Sequence, residues 1–291
     1  MRALTEAVAR LSSLVRLVDV RVPSNAFITV FALLVGFGSG YSHGVDSGVR
    51  GALVVFLVWA IGRELDPDRP LVACVAAVLA IPFAIFGDSD LLALACMLLA
   101  VRIVVRTAGK GVTFVDCIAI VALCAFAGRS MPTLVGAAVL VSSLVLDRAF
   151  PPATGRRVVL TACLAAVGAV FVAVFHASVE PGSWNDLATA RWVAIALGVA
   201  ASLVVAAFPL RTPLRSRGDA TREPLLPVRL WLCRTLAAST VIVALAVRGG
   251  AAPGEFSALW AAIIAAAGCA LWLRLQSAMR ADSREATAST T

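Results

Sequence analysis

The feature that most constrains this chain is a succession of long, nearly uncharged apolar runs separated by short charged stretches. They lie near residues 26–42, 48–63, 70–87, 89–106, 112–128, 131–146, 157–178, 188–209, 229–248 and 256–275. A membrane helix takes about 20 mostly apolar residues, with about 17 to 25 usual. A bilayer accepts them as helices because helices satisfy their own backbone hydrogen bonds. Of the 291 residues, 60% are hydrophobic and 14% charged, whereas a soluble domain carries about a quarter charged residues. A soluble fold of this length has too much surface to meet water with so few polar groups. The sequence therefore predicts an all-α, polytopic transmembrane bundle of about ten helices.

Orientation follows from the arginines. With the N-terminus on the cytoplasmic side, only Arg50, Arg129, Arg191 and Arg248 of the 25 basic residues fall outside. Each inside stretch is then richer in basic residues than its outside neighbours, as the positive-inside rule requires. The same asymmetry accounts for the net charge of +8 without a nucleic-acid partner. The expected arrangement is N-in/C-in, multi-pass, in the cell (cytoplasmic) membrane, with the lipid bilayer as the main partner.

Five segments follow. Residues 1–25 form an interfacial amphipathic segment, with Leu4, Val8, Leu11, Val15 and Val18 at helical spacing; an ordinary solvated helix is the alternative. Residues 26–210 hold eight helices. Residues 211–228 form a basic cytoplasmic linker rich in proline and arginine, 229–278 a C-terminal hairpin, and 279–291 a disordered polar tail. The seven cysteines lie in or beside apolar runs and form no C-x-x-C pair. They read as small packing residues rather than disulfides or zinc ligands. His43 and His176 are too far apart in sequence to predict a metal site.

The densest polar stretch is Arg63-Glu64-Leu65-Asp66-Pro67-Asp68-Arg69-Pro70, between the second and third runs. Glu64, Asp66 and Asp68 present carboxylates that can share a magnesium ion, which prefers oxygen ligands. Arg63 and Arg69 can grip phosphate oxygens in bidentate fashion. The alternative is a polar turn in which Asp66 and Asp68 cap the third helix. Arg102, Arg106, Lys110 and Asp116 occupy the next inside stretch, and Asp147 the one after. Arg102 and Arg106 share a helix face. An Arg102–Asp116 pair is expected, because charges at that depth are costly alone. No nucleophile motif such as G-x-S-x-G or H-E-x-x-H is present, and Gly109-Lys110-Gly111 lacks the spacing of a P-loop.

The N-terminal half resembles the UbiA-type membrane prenyltransferases in the placing of residues 17–31, 63–70, 102–110 and 147–157. Those proteins carry an interfacial N-terminal segment, an acidic motif with an Asp-Arg-Pro-like turn after helix two, basic residues before helix five, and a second acidic motif after helix six. This chain departs from them. Their Asn-Asp-x-x-Asp pattern is absent, Asp147 has no acid four residues later, and about ten helices are expected rather than nine. The resemblance implies an isoprenoid diphosphate ligand. The expected function is a lipid- or isoprenoid-processing protein with a phosphate site on the cytoplasmic face. A small-molecule transporter and a non-catalytic membrane scaffold are the alternatives.

Overall fold

The computed structural model describes residues 11–16, 18–87, 89–127, 129–150, 155–176, 189–207, 214, 216–218 and 223–288. Helix dominates these residues, with no strand beyond an isolated Arg217–Pro224 bridge. In chain order the helices are α1 (Pro23–His43), α2 (Val45–Leu65), α3 (Pro70–Leu79), α4 (Ile81–Phe86), α5 (Leu91–Val105), α6 (Phe114–Ala127), α7 (Met131–Ala149), α8 (Arg156–His176), α9 (Thr189–Ala207) and α10 (Pro227–Arg248). A 3₁₀ turn, Gly249–Ala251, leads to the short α11 (Ala252–Glu255) and the long α12 (Ser257–Ala288).

Among the described residues, five helices are long and apolar enough to cross a membrane: Pro23–His43, Val45–Leu65, Met131–Ala149, Pro227–Glu255 and Ser257–Gln276. Pro70–Leu79, Leu91–Val105, Phe114–Ala127, Val158–Val174 and Ile195–Ala207 are apolar but shorter. The run expected at 48–63 is longer than its composition indicated, since α2 spans 21 residues and extends past Arg63 to take Glu64 and Leu65 into the helix. The run expected at 70–87 is divided at Ala80, which closes α3 and opens α4. Pro82 explains the break, because its ring nitrogen cannot donate to the carbonyl four residues back. The tail expected to be disordered continues the last helix to Ala288. The amphipathic helix expected over 4–18 lies partly outside the described residues, and stretch 12–16 is an irregular strap rather than helix.

At the centre, α2 packs on α1, α3, α5 and α12, while α10 packs against α5, α7 and α9. Val55, Val58, Ile61 and Leu65 of α2 are fully buried, as are Ala100 and Val101 of α5 and Leu230, Ala237 and Val241 of α10. Small residues set the closest approach. A Cβ on Gly48 would stand 2.6 Å from the Gly36 carbonyl oxygen and 2.9 Å from Gly40 Cα, so α1 and α2 touch through their backbones. The outer faces are apolar: Phe37 is 77% exposed, Val167 66% and Val174 74%. A water-facing surface would not carry apolar stripes of this extent, whereas lipid solvates them.

Polar contacts collect at the two ends of the bundle. At one end Arg50 donates to the Ser89 carbonyl at 2.9 Å, Ser89 and Ser257 hydroxyls bond at 2.8 Å, and Arg248 pairs with Glu255 at 2.6 Å. Asp90 caps α5 there by accepting from the Leu92 and Ala93 amides, both at 2.9 Å. At the other end the final turns of α2, α5 and α7 meet the strap and the first turns of α6 and α10. The candidate site is built there.

Candidate functional site

Glu64 occupies the last turn of α2 and is 1% exposed, not solvated as a loop residue would be. Its Oε1 meets Arg102 Nε at 3.2 Å and Arg16 Nη1 at 3.5 Å, and its Oε2 accepts from Thr107 Oγ1 at 2.6 Å. Arg102 leaves α5 one turn from its end and also donates Nη1 to the Leu14 carbonyl at 2.6 Å. One carboxylate therefore ties the ends of two helices to the N-terminal strap. A buried carboxylate survives because cations and donors replace the water it lost.

The expected Arg102–Asp116 pair does not form. Asp116 accepts from the Ser13 amide and hydroxyl at 2.9 and 2.8 Å, the Thr113 amide and hydroxyl at 2.9 and 2.8 Å, and the Ser12 hydroxyl. The reason is local: Thr113 and Asp116 form a compact turn at the start of α6, and the strap lies across it. Arg102 is nearer the other carboxylate, on α2.

Asp66 and Asp68 do not cap α3. The N-cap position is Arg69, without a side-chain bond. Asp66 is buried and pairs with Arg69 at 3.1 Å and with Arg234 of α10 at 3.4 Å, while Arg234 Nε donates to the Leu65 carbonyl at 2.8 Å. Burial raises the Asp66 carboxyl above its ordinary range, against the opposing pull of Arg234 and Arg69. Asp68 accepts from the Ser216 amide at 2.7 Å and so holds the linker. Arg106 ends α5 with a φ of 54°, in the left-handed region. That turn directs Nε and Nη2 onto Asp147 at 2.6 and 2.9 Å. Arg229 of α10 reaches the same carboxylate at 2.8 Å and donates to the Val104 and Phe150 carbonyls at 3.1 and 2.7 Å. Lys110 is exposed and has no hydrogen bond or ion pair to other described residues.

The sequence-nominated residues thus gather at one end of the bundle, but at separate points. Among the described residues no three His, Cys, Asp or Glu side chains come together as a metal would need. Glu64, Asp66 and Asp68 each face different partners, and Glu64 and Asp66 are held by arginines. As folded they do not fit a magnesium ion shared among the three.

A different grouping emerges instead. Arg16, Val18, Asn25, Phe56, Trp59, Ala60, Arg63, Glu64 and Arg102 line a small, narrow cleft. Arg63 lies over the Trp59 ring, 5.6 Å from its centroid, and donates Nη1 to Asn25 Oδ1 at 2.8 Å. Its Nε and Nη2 make no hydrogen bond to other described residues, nor does Arg102 Nη2. The Trp59 indole N–H is buried, also without an acceptor among them. Donors of Arg63 and Arg102 without a bond to other described residues thus stand at a cleft whose described lining holds one carboxylate, Glu64. Arg16, Asn25 and Trp59 were not nominated from sequence. The i,i+4 spacing of Trp59 and Arg63 was the available signal, since it stacks them on one helix face. For Arg229 and Arg234 the signal was position: a cation near a helix start opposes the macrodipole and needs an acid from elsewhere.

No family model, curated protein or solved structure matches the chain.

Proposed function

We propose that this protein crosses the cell membrane about ten times, N-in/C-in, and processes a phosphate-bearing lipid or isoprenoid at its cytoplasmic face. The observation that supports the ligand class is the pair of guanidinium groups of Arg63 and Arg102 at a cleft they line with Glu64, Arg63 keeping Nε and Nη2 without a hydrogen bond to other described residues. Paired N–H groups of arginine match phosphate oxygens in spacing and charge. Arg102 and Glu64 belong to the helix ends, so the site is on rigid elements; Arg16 arrives on the strap. Val18, Phe56 and Ala60 supply an apolar wall against which a lipid's first methylenes can lie.

The test is binding of farnesyl diphosphate to the purified full-length protein in detergent, read by native mass spectrometry with and without magnesium. Binding is expected in the wild type, and about tenfold weaker binding in Arg63→Gln, which loses one charge-assisted contact. The double change Asp66→Asn/Asp68→Asn measures whether the acidic turn takes part through magnesium. No binding by the wild type places the protein with transporters or scaffolds. The broken α3–α4 helix at Ala80 favours a transporter as the second reading, because discontinuous helices often form transport sites. Vesicle uptake that fails when Pro82 is replaced by alanine would support that reading.

A further inference from the structure

The strap beside the cleft is held differently from the helices it crosses. The helices keep their places through buried apolar faces, whereas the strap buries one apolar side chain, Leu14, and its neighbours Leu11 and Val15 are exposed. Its anchors are polar. The Ser12 hydroxyl and the Ser13 amide and hydroxyl donate to Asp116 at the start of α6. Thr113 Oγ1 donates to the Leu11 carbonyl at 2.8 Å. Arg102 Nη1 donates to the Leu14 carbonyl, and Arg16 meets Glu64. Ser12 Oγ also accepts from the Leu14 and Val15 amides at 3.1 and 3.0 Å, so one side chain both shapes the strap and ties it to Asp116. A segment with few buried apolar contacts opens at a lower free energy than a packed helix.

The two sides of the strap are unequal. On the α1 side, the turn Asp19–Val22 is fixed: the Val22 amide and Asn25 Nδ2 donate to the Asp19 carbonyl at 3.1 and 3.0 Å, and Arg63 of α2 holds Asn25 Oδ1. On the other side the hold is Asp116. That carboxylate keeps the amide and hydroxyl of Thr113, in its own turn, when the strap leaves, and water supplies the remaining donors. Between these two points Arg16 walls the cleft, and the Leu14 carbonyl takes an Arg102 N–H that a ligand oxygen would otherwise take.

We infer that the strap, Ser12–Arg16, is a lid on the cleft, latched by Asp116 and pivoting on the Asp19–Val22 turn, and that the closed lid inhibits ligand entry because its Leu14 carbonyl occupies Arg102. Opening takes the Ser12 and Ser13 donors from Asp116, withdraws Leu14 from Arg102 and carries Arg16 off the cleft wall. That an anionic amphiphile enters behind it rests on the phosphate-lipid reading above; the lid itself does not.

The experiment uses the full-length protein in nanodiscs of neutral lipid. Ala60→Cys places a thiol on the cleft wall, and the native Cys96, fully buried in α5, reports whether the bundle stays intact. N-ethylmaleimide labelling at each cysteine is timed by peptide mass spectrometry, with the strap intact and with Ser12→Ala/Ser13→Ala. The alanine pair should raise the labelling rate at position 60 on the order of tenfold, as the loss of one charge-assisted hydrogen bond from the closed state provides, and should leave Cys96 unchanged. Farnesyl diphosphate, added to the same two proteins without Ala60→Cys, should bind faster and tighter once the strap is unlatched, because it no longer displaces the Leu14 carbonyl. An unchanged rate at position 60 overturns the lid. A rate that rises equally at Cys96 also overturns it, since the strap is then a tie that holds the whole bundle. Weaker farnesyl diphosphate binding by the unlatched protein overturns the inhibitory role and makes the closed strap part of the ligand's site. Faster labelling at position 60 alone, with no farnesyl diphosphate bound by either protein, leaves the lid standing and removes the phosphate-lipid reading.

Discussion

Glu64 and Asp147 are the two residues on which the charged end of the bundle turns. Each is a fully buried carboxylate shared by two arginines from different parts of the chain. Removing one partner of such a group leaves the others charged and dry, which costs about 3–5 kcal/mol. Asp147→Ala should therefore lower thermal stability in detergent sharply, because Arg229 is 3% exposed and cannot turn to water. Asp68→Asn should cost clearly less, because Asp68 is half-buried rather than buried. Asparagine still accepts from the Ser216 amide, the contact Asp68 makes to the linker. A thermal scan of both variants by tryptophan fluorescence checks the contrast; equal losses would show that burial does not rank these acids. Sequence made the acids and arginines visible but not their partners. Arg102 and Asp116 looked like a pair because they are close along the chain, yet Arg102 meets Glu64, 38 residues earlier, and Asp116 meets Ser12, 104 residues earlier. Local spacing carries no information about which helix ends become neighbours.

At the scale of the element, the apolar runs locate the helices well, because a bilayer demands length and apolarity together and few other patterns meet both. What the runs do not carry is where a helix ends. Charge marks no helix end here: α2 carries both Arg50 and Glu64, because their partners lie beside it rather than beyond it. Proline was informative in the other direction, dividing α3 from α4 where Pro82 removes a donor. The α1–α2 contact gives a clean test of packing. Gly48→Val places new carbon against the Gly36 carbonyl and Gly40 Cα, both backbone atoms that cannot swing aside. Overpacking of this kind costs about 1–3 kcal/mol or more. Gly38→Ala is the control, since a Cβ at Gly38 meets nothing within 4 Å. The valine variant should lose stability in detergent and the alanine variant should not; comparable loss in both would place the helix contact elsewhere.

For the whole molecule, the separation of polar contacts into two ends supports helices that alternate in direction, and reporter fusions test the resulting topology. A reporter active only outside the cytoplasm should be active after Gly87 or Pro181 and silent after Thr107 or Arg217. Inversion at either pair would remove the ten-crossing arrangement. The seven cysteines add no covalent constraint, as all are free thiols. The bundle is instead closed by contacts between distant parts of the chain, and the strap is the extreme case. Ser12 and Ser13 rest on Asp116, and Leu14 and Arg16 on Arg102 and Glu64. Synthesis runs from the N-terminus, so the strap leaves the ribosome long before its anchors exist. During assembly Arg16 meets Glu64 only once α2 is made, Leu14 waits for Arg102 of α5, and Ser12 and Ser13 wait for Asp116 of α6. The strap is consequently among the first parts of the chain to be synthesised, yet its anchoring is complete only after the sixth helix has followed it.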